Sequence, residues 1–477
     1  MAEPLRQRLC LRVRRLLGAV CGSSLARAAI VTGVLTILCK GIGFAKELAI
    51  AAQFGIGAAL DSFLVAVVLP NLVVNVFAQS FAAAMVMRYV QDRTKSGEDV
   101  AREHFSTSMF WGIAFVMGVS LAGVVCSPVL LPWLSPGFRP ELQAATQRLL
   151  WMLFPYSVLA GMGSIWSSIL NARGRFAASA VSPGLISLAL IGAVTCWQIS
   201  DARVLVGGLT VGAFLDVVIL GYCLKREGLP LLPRMCRWQL EHRWMAAQTW
   251  PMIVGSTLHF CTIMVDQSMA STLGEGSVSE LNYGNRFVAM ILGLIALPMG
   301  KIIFPHFLQL IEKHQWVEVQ RSLHRSVLVL LVISIPITIV LAGFSGPIVN
   351  WTFQRGRFTS EMATRVAAVQ VMCALQIPFY LWSVLQARLV VALRLRRVML
   401  GCGVLNLTLN IAMNYLLMQS LGVTGIALST ALVYLGAACY FSAAIRMALR
   451  RKILEEREIE QSSESTTQVS GSSRMAA

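Results

Sequence analysis

Long apolar stretches recur along almost the whole chain, and short polar or glycine-rich segments separate them. Each stretch is about 20 residues or longer, which is the length that a helix needs to cross a bilayer. A window of span length predicts about twelve membrane-spanning helices. They lie near residues 27–53, 61–90, 105–134, 144–171, 178–198, 203–224, 245–272, 282–309, 326–353, 364–392, 398–418 and 424–445. The pattern therefore predicts an all-α, polytopic membrane protein.

The composition agrees with this prediction. The 477 residues are 56% hydrophobic and 13% charged, whereas soluble domains average about 25% charged residues. The formal net charge of +17 comes from Lys and Arg residues that lie mainly in short loops, where they set membrane topology, so we expect no nucleic-acid partner. The 11 cysteines are scattered without a C-x-x-C pair, which predicts neither a disulfide framework nor a metal site.

The charge of the loops predicts how the protein is oriented in the membrane. Arg-rich segments precede the first helix and follow the fourth, sixth, eighth, tenth and twelfth, whereas the opposite loops "FGIGAA", "LGEGSVSE" and "SLGVTG" carry almost no positive charge. Both termini are therefore expected on the cytoplasmic side. Residues 1–26 are predicted to be a basic cytoplasmic extension, and residues 446–477 a polar, disordered cytoplasmic tail. One outer loop, "FQRGRFTSE", departs from the rule, and its Arg355 and Arg357 are candidates for contact with anionic groups.

The chain also contains a weak internal repeat. An offset of 223 residues places "FPYSVLAGMGSIWSSILNARGRF" on "IPFYLWSVLQARLVVALRLRRVM", so that Pro155 matches Pro378 and Arg173 matches Arg396. This predicts two six-helix lobes, residues 27–235 and 236–445. Because each half has an even number of helices, the lobes should be related by a pseudo-two-fold axis along the membrane normal, with a cleft between them.

Three charges interrupt the first predicted helix, "CKGIGFAKELAIAAQFG". Lys40 and Glu47 are seven residues apart and lie about 20° apart in projection, with Lys46 about 120° from Lys40. A charge in the hydrocarbon region needs a partner or a water-filled cavity, so the three can form one wall of a cavity in which Glu47 offsets lysine charge. In the alternative, the lysines extend to the two membrane surfaces. Gly41 and Gly43 are expected to let a neighbouring helix approach closely.

Other polar residues fall within the predicted spans. Asp61 opens the second helix, where it is either an ordinary cap or a cavity group. Asn75 lies one turn beyond Pro70 and suits a cavity wall. In the second half, His259 and Asp266 share one face of the seventh helix, and Arg286 enters the eighth. These groups predict a cavity for an anionic substrate, with an unassigned coupling ion, Na⁺ or H⁺.

Motifs typical of enzymes do not occur. The sequence has no H-E-x-x-H, no G-x-S-x-G and no P-loop, so we expect a transporter without a cofactor rather than an enzyme. A membrane enzyme that uses isolated Asp and His residues remains the alternative from another class.

Five motifs, in this order and spacing, resemble the MurJ/MviN family. They are "GFAKELAIAAQFGIGAALDSFLVAVVLPNLVVNVFAQSF", "SPGF", "ILNARGRF", "GSVSELNYGNRF" and "FQRGRFT". That family comprises lipid II flippases within the multidrug/oligosaccharidyl-lipid/polysaccharide exporter superfamily. The resemblance implies a bacterial inner-membrane protein that moves an undecaprenyl-pyrophosphate-linked glycan outward by alternating access. Its implied partners are this glycan, membrane lipids, and proteins of cell-wall or polysaccharide synthesis.

The resemblance also implies residue roles. Lys40 and Lys46 stand where the family usually has arginines, and Arg286 matches its cavity arginine, so these three would attract the pyrophosphate. Asp61 matches the family's aspartate, and with Glu47 it would tune cavity charge or gate the outer face.

The sequence departs from the family pattern in two respects. Val74 and Asn75 replace an arginine pair, and Gln79 replaces an acidic residue; the chain also has about twelve predicted helices where family members often have fourteen. Lipid II is therefore the first hypothesis for the substrate. A flippase for an exopolysaccharide or O-antigen repeat unit, and a cation-coupled exporter of small drugs, are the alternatives.

Overall fold

The computed structural model describes residues 24–197, 201–231, 240–298 and 303–475. These residues form helices and no strand, which confirms the all-α fold. Most of the predicted N-terminal extension, residues 1–23, lies outside the described residues. The helices are α1 (Ser24–Phe54), α2 (Ala58–Ala66), α3 (Val68–Leu72), a π-helical segment (Val73–Ala78), α4 (Gln79–Lys95), α5 (Glu98–Val125), α6 (Ser127–Leu134), α7 (Pro140–Met152), α8 (Phe154–Ala172), α9 (Phe176–Cys196), α10 (Ala202–Arg226), α11 (Leu240–Ser271), α12 (Ser277–Pro298), α13 (Phe304–Glu312), α14 (Trp316–Gly343), α15 (Ser345–Phe353), α16 (Ser360–Ala374), α17 (Gln376–Ala392), α18 (Arg396–Leu421) and α19 (Val423–Met475).

Each of the twelve predicted spans coincides with one helix or with a broken helix. Within the described ranges, eight helices are long and apolar enough to cross a membrane, and nine if the pair α7 and α8, bent by 45°, counts as one span. The bend follows from sequence, because Pro155 in the first turn of α8 has no N–H to continue the helix of α7.

By its packing the chain divides into two compact units. Unit 1 comprises Met1–Phe260 and Phe353–Thr359, and unit 2 comprises Cys261–Thr352 and Ser360–Ala477. The division therefore lies inside α11, whereas the sequence places it in the preceding loop at 235/236. The division also assigns the segment Phe353–Thr359 to unit 1, although the helices on either side of it belong to unit 2.

A turn of the same geometry joins α8 to α9 in unit 1 and α17 to α18 in unit 2. Between α8 and α9, Gly174 has a φ of 79°, and the N–H groups of Gly174 and Arg175 donate to the carbonyls of Asn171 and Leu170. Between α17 and α18, Arg394 has a φ of 57°, and equivalent bonds run from residues 394 and 395 to residues 391 and 390. This is the αL ending that lets a helix stop in a tight turn.

This turn is a common way to end a helix in the chain. Equivalent turns follow α10 at Gly228, with a φ of 71°, and α13 at His314, with a φ of 55°. The turn therefore does not distinguish the predicted internal repeat, and the two-lobe duplication stays a prediction.

Four helix ends of unit 1 meet at the buried side chain of Arg173. Its Nε donates to the Tyr89 hydroxyl at 2.7 Å, and its Nη1 donates to the carbonyl oxygen of Glu227 at 2.8 Å. The guanidinium also pairs with the carboxylate of Glu98. These contacts join the ends of α4, α8 and α10 to the start of α5, so this loop arginine contributes to the packing of unit 1 as well as to the loop charge.

The C-terminal tail differs from the sequence expectation of disorder. Helix α19 runs without a break from Val423 to Met475 and includes the span Val423–Leu454. The segment "LEEREIEQ" explains the continuation locally, because Glu, Arg, Leu and Gln are all good helix formers.

Candidate functional site

Helix α1 carries two cations in different environments. Lys46 Nζ lies 2.8 Å from Glu47 Oε1, and the glutamate is only 6% exposed. Lys40 is exposed, and no ion pair involves it among the described residues. The structure therefore pairs Glu47 with its sequence neighbour Lys46, and leaves Lys40 as the more accessible positive charge.

Helix α1 packs on α9 through small residues of α9. A Cβ added at Gly184 would lie 2.7 Å from Cys39 Sγ, so this position of α9 requires glycine for the observed approach. A Cβ at Gly43 would meet Ser187 Oγ at an ordinary 3.8 Å, and one at Gly41 would meet nothing within 4 Å. The expectation that Gly41 permits close helix packing is therefore wrong; the glycine that matters lies on the other helix.

The second predicted span contains an exposed amide pair at a helix irregularity. After Pro70 the helix widens into the π-helical segment, a form that occurs frequently at functional sites. Asn75 Nδ2 donates to the Asn71 carbonyl at 2.9 Å, and Gln79 Nε2 donates to Asn75 Oδ1 at 3.1 Å. The side chains of Asn75 and Gln79 are exposed near the middle of this apolar span, so they need a polar environment there.

Asp61 is fully buried in the first turn of α2, after Gly57 at the N-cap. This position matches the predicted helix start, where a carboxylate complements the helix dipole. His259 is exposed on α11, and Asp266 lies seven residues further along the same helix.

Asp266 is the centre of a polar cluster inside unit 2. Its Oδ1 accepts hydrogen bonds from Asn410 Nδ2 at 2.8 Å and from Asn414 Nδ2 at 2.7 Å. Ser429 on α19 donates to Asn414 Oδ1, and both asparagines are buried on α18. Because both amide nitrogens point at the carboxylate, the cluster is satisfied as it stands; it offers a cation an oxygen-rich site only if the amides turn.

The cluster contains residues that the sequence reasoning missed. Asn406, Asn410 and Asn414 recur at every fourth position of "LNLTLNIAMNYLL", which puts them on one helical face inside a span. That periodicity is the signal that would have found them. Asp266, the partner of Asn410 and Asn414, is 144 and 148 residues distant from them in sequence.

Arg286 lies on α12 in unit 2 and is partly buried. Its neighbour Asn285 accepts a hydrogen bond from Gln376 Nε2 at 3.1 Å, which links α12 to α17. The predicted site residues therefore divide between the units. Asp266 and Arg286 belong to unit 2, and the others belong to unit 1. Lys46 and Glu47 are in direct contact.

The segment Phe353–Thr359 is anchored to the end of α1. The Arg357 N–H donates to the carbonyl oxygen of Ala52 at 2.8 Å, and the buried ring of Phe353 lies 6.3 Å from that of Phe44. Gly356 has a φ of 59°, and a Cβ there would overlap the Ala52 oxygen. The backbone of this segment is therefore fixed, while the side chains of Arg355 and Arg357 are exposed.

Within the ranges that the structure describes, no group of three or more His, Cys, Asp and Glu side chains has a metal-binding arrangement.

Comparison with known proteins identifies relatives over most of the chain. The family model described as "Lipid II flippase MurJ" matches residues 50–471. A protein of Rhizobium tropici named "Probable lipid II flippase MurJ" is 26% identical over 375 residues, covering 75% of this chain and 69% of that protein. The "Lipid II flippase MurJ" of Burkholderia cenocepacia is 26% identical over 357 residues, covering 72% of this chain and 69% of that protein.

Solved structures show the same fold. One titled "Lipid II flippase MurJ, inward closed conformation" superposes with a TM-score of 0.76 at 19% identity, covering 87% of each chain. An inward-facing multidrug resistance transporter of the MATE family superposes with a TM-score of 0.71 at 11% identity, covering 87% of this chain and 98% of that one. The fold is thus common to flippases and drug exporters, and only the sequence comparisons separate them.

Proposed function

The chain belongs to the MurJ family, and from this we propose that it is a lipid II flippase of the bacterial inner membrane. It is a multi-pass membrane protein and a transporter rather than an enzyme. Its substrate is a polyprenyl-pyrophosphate-linked glycan, the lipid-linked precursor of peptidoglycan. Transport proceeds by alternating access, in which the substrate is taken up at one face and released at the other without covalent chemistry.

The placement of Lys40 and Lys46 on one helix, α1, is the observation that carries the substrate assignment. The sequence predicts that this helix spans the membrane. Cations within a membrane span are retained where they serve a substrate or ion pathway. A lysine ammonium binds phosphate as a point charge, without the two-pronged geometry of arginine. We propose that Lys40 and Lys46 attract the pyrophosphate, and that Arg286 has the role that the family resemblance implies for it.

Glu47 limits the positive charge on α1. Its carboxylate lies 2.8 Å from Lys46 Nζ and is nearly buried, so it neutralises much of that cation before substrate arrives. A site that must release its substrate benefits from such moderation, since full charge would hold the pyrophosphate too tightly. Glu47 and Asp61 therefore tune the charge that the substrate meets.

The exposed amides have a different role. Asn75 and Gln79 offer neutral donors and acceptors on the second span. Sugar hydroxyl and acetamido groups are neutral hydrogen-bonding partners, so we assign this pair to the glycan rather than to the pyrophosphate.

The alternatives are less well supported. Resemblance to a drug exporter is a resemblance of fold at 11% identity. A flippase for an exopolysaccharide or O-antigen unit would use the same pyrophosphate contacts, and it differs only in the glycan. The family match favours lipid II over both.

Reconstitution tests the proposal. Purified protein is placed in liposomes that carry lipid II in both leaflets, and the outer-leaflet fraction is followed with a membrane-impermeant reagent that modifies only exposed glycan. The protein should exchange lipid II between leaflets faster than protein-free liposomes do. A lipid-linked exopolysaccharide repeat unit, measured in parallel, should exchange more slowly; faster exchange of that unit would select the alternative.

Matched variants test the residue roles. The double variant Lys46→Ala/Arg286→Ala should abolish exchange, whereas Arg203→Ala, at an exposed ion pair at the start of α10, should leave it unchanged. Exchange that survives the double variant would overturn the assignment of the pyrophosphate to these residues.

Orientation and protein partners form part of the same proposal. We place both termini in the cytoplasm on the basis of loop charge, and we expect the partners to be proteins of cell-wall synthesis. A reporter fused after residue 477 that is active only in the cytoplasm tests the orientation.

A further inference from the structure

A second intramembrane carboxylate lies in unit 1, on a helix that the transport proposal does not use. Asp216 is in α10, about 21 Å along the helix from Ala202 and about 15 Å from Arg226 at 1.5 Å per residue. The residue is 3% exposed. A carboxyl group at this depth and burial is a candidate functional group by default.

The surroundings of Asp216 are almost entirely apolar. Its carboxyl group is hydrogen-bonded with Ser182 of α9, while Oδ1 has no hydrogen-bond partner. The backbone of α8 approaches from another side, since a Cβ added at Gly163 would lie 2.8 Å from Oδ2 and 3.8 Å from the Leu220 side chain. Three helices thus enclose a carboxyl group that has one polar neighbour.

No cation compensates this group among the described residues, whose ion pairs do not include Asp216. Ionisable side chains on the elements packed against α10 are Tyr156 on α8, Cys196 on α9, Asp61 on α2, and Glu141 and Arg148 on α7; α10 itself carries Arg203, Tyr222, Cys223, Lys225 and Arg226. The basic residues of α10 lie toward its two ends. An isolated ionised carboxylate in such an apolar site is strongly disfavoured.

We propose that Asp216 is a proton-binding site, and that it takes up and releases one proton during the transport cycle. In the resting state described by the structure the group is the neutral acid. Release breaks the Oδ–H bond and passes the proton to water that reaches the site in another state; uptake reverses this step. No other reactant is needed.

A proton suits the site better than a metal ion does. Cations such as Na⁺, Mg²⁺ and Ca²⁺ take several oxygen ligands, whereas the carboxyl group of Asp216 has one hydroxyl partner, Ser182, and lies beside the backbone of Gly163. A neutral carboxylic acid needs only one acceptor for its proton, and the Ser182 oxygen supplies it.

The fold links this site to the cationic helix. Ser182 precedes Pro183, which lies inside α9 and removes a backbone hydrogen bond, so the helix can bend there. The next residue, Gly184, packs directly on Cys39 of α1, and the Cys39 thiol lies 3.9 Å from the Val181 carbonyl oxygen. A change in the charge of Asp216 acts on Ser182, and through this bend on the helix that carries Lys40 and Lys46.

Infrared spectroscopy tests the proton directly and does not depend on the proposed function. Purified protein in lipid is titrated with base while the carbonyl band of protonated carboxyl groups is recorded. A band present at neutral pH should be lost in Asp216→Asn, which retains the shape of the acid. It should persist in Asp201→Asn, which alters an exposed carboxylate at the start of the same helix. An unchanged band in Asp216→Asn would overturn the proposal.

A second variant, Ser182→Ala, keeps the proposal testable if Asp216→Asn does not fold. Ser182→Ala keeps the carboxyl group and removes its only polar neighbour, so the same band should move to higher frequency. If the band stays in place, the assignment to Asp216 is wrong.

A transport assay tests whether protonation of Asp216 is coupled to lipid II exchange. This experiment rests on the proposed function. The rate of lipid II exchange by the wild type should depend on pH with a slope of at most about tenfold per pH unit, the limit for one proton. The rate in Asp216→Asn should be independent of pH, and that in Asp201→Asn should follow the wild type. Exchange by Asp216→Asn with the wild-type pH dependence would overturn the coupling. Failure of the wild type to exchange lipid II at any pH would instead count against the proposed function.

Discussion

Replacement of Lys46 by methionine separates two roles of this residue. Met fills the volume of the lysine stem but removes the ammonium that lies 2.8 Å from Glu47. The side chain of Glu47 is 8% exposed and that of Lys46 is 22% exposed. Removal of one partner from a buried ion pair costs about 3–5 kcal/mol, and exposed pairs contribute about 0–1 kcal/mol. This partly exposed pair should lie between these limits, at about 2–4 kcal/mol.

The double variant Lys46→Met/Glu47→Gln completes the experiment. It removes both charges, so the buried carboxylate no longer needs its cation, and the loss of stability should fall to about 1 kcal/mol or less. The pyrophosphate contact is still absent. Loss of one charge-assisted hydrogen bond weakens substrate binding by about ten- to hundredfold. Stability should therefore recover in the double variant while exchange of lipid II stays low.

The assays are thermal unfolding of the purified protein in detergent and leaflet exchange in liposomes, each measured on the same preparations. Lys46→Arg serves as the control, because it keeps the charge and should retain both properties. Recovery of transport together with stability in the double variant would refute the reasoning. Lys46 would then be a structural partner of Glu47, with no part in holding the pyrophosphate.

Three further predictions concern other parts of the molecule. Gly356→Ala should lower thermal stability, because its Cβ would overlap the Ala52 oxygen and because a positive φ costs alanine about 1 kcal/mol or more; Gly346→Ala, at an open helical position, is the control for the same melting assay. Asn75→Leu should weaken binding of lipid II but not of undecaprenyl pyrophosphate in a competition assay, and equal weakening of both would contradict its assignment to the glycan. Asp266→Leu should destabilise the protein by about 1–3 kcal/mol for each amide that loses its acceptor, whereas Asp266→Asn, which keeps an acceptor oxygen, should melt closer to the wild type.

The positions of the helices could be predicted from the sequence because hydrocarbon imposes a single strong constraint. Every backbone polar group must be paired within its own segment, so an apolar stretch of span length has almost no choice but to be helical. Breaks within the spans were less predictable. The bend between α7 and α8 has a local cause in Pro155, but the π-helical segment Val73–Ala78 depends on how the helix fits its neighbours.

The candidate site was only partly predictable for a different reason. A charge inside a span can be recognised from sequence, and Lys40, Lys46, Glu47 and Asp266 were found in this way. The partner of each charge depends on tertiary packing. Glu47 pairs with its immediate neighbour rather than with Lys40, which lies two turns away on the same helical face. Asp266 contacts Asn414, which is 148 residues distant. Neutral amides carry no charge signal, so Asn414 stands out only through its spacing.

The turn between α17 and α18 shows how tertiary packing overrides local preference. Arg394 has a φ of 57° in this turn, whereas Gly174 occupies the equivalent position in the turn between α8 and α9. Arginine at a positive φ is energetically unfavourable, so the turn of unit 2 is maintained by its surroundings rather than by its own sequence. A sequence-based prediction that looks for glycine at helix ends finds the first turn and misses the second.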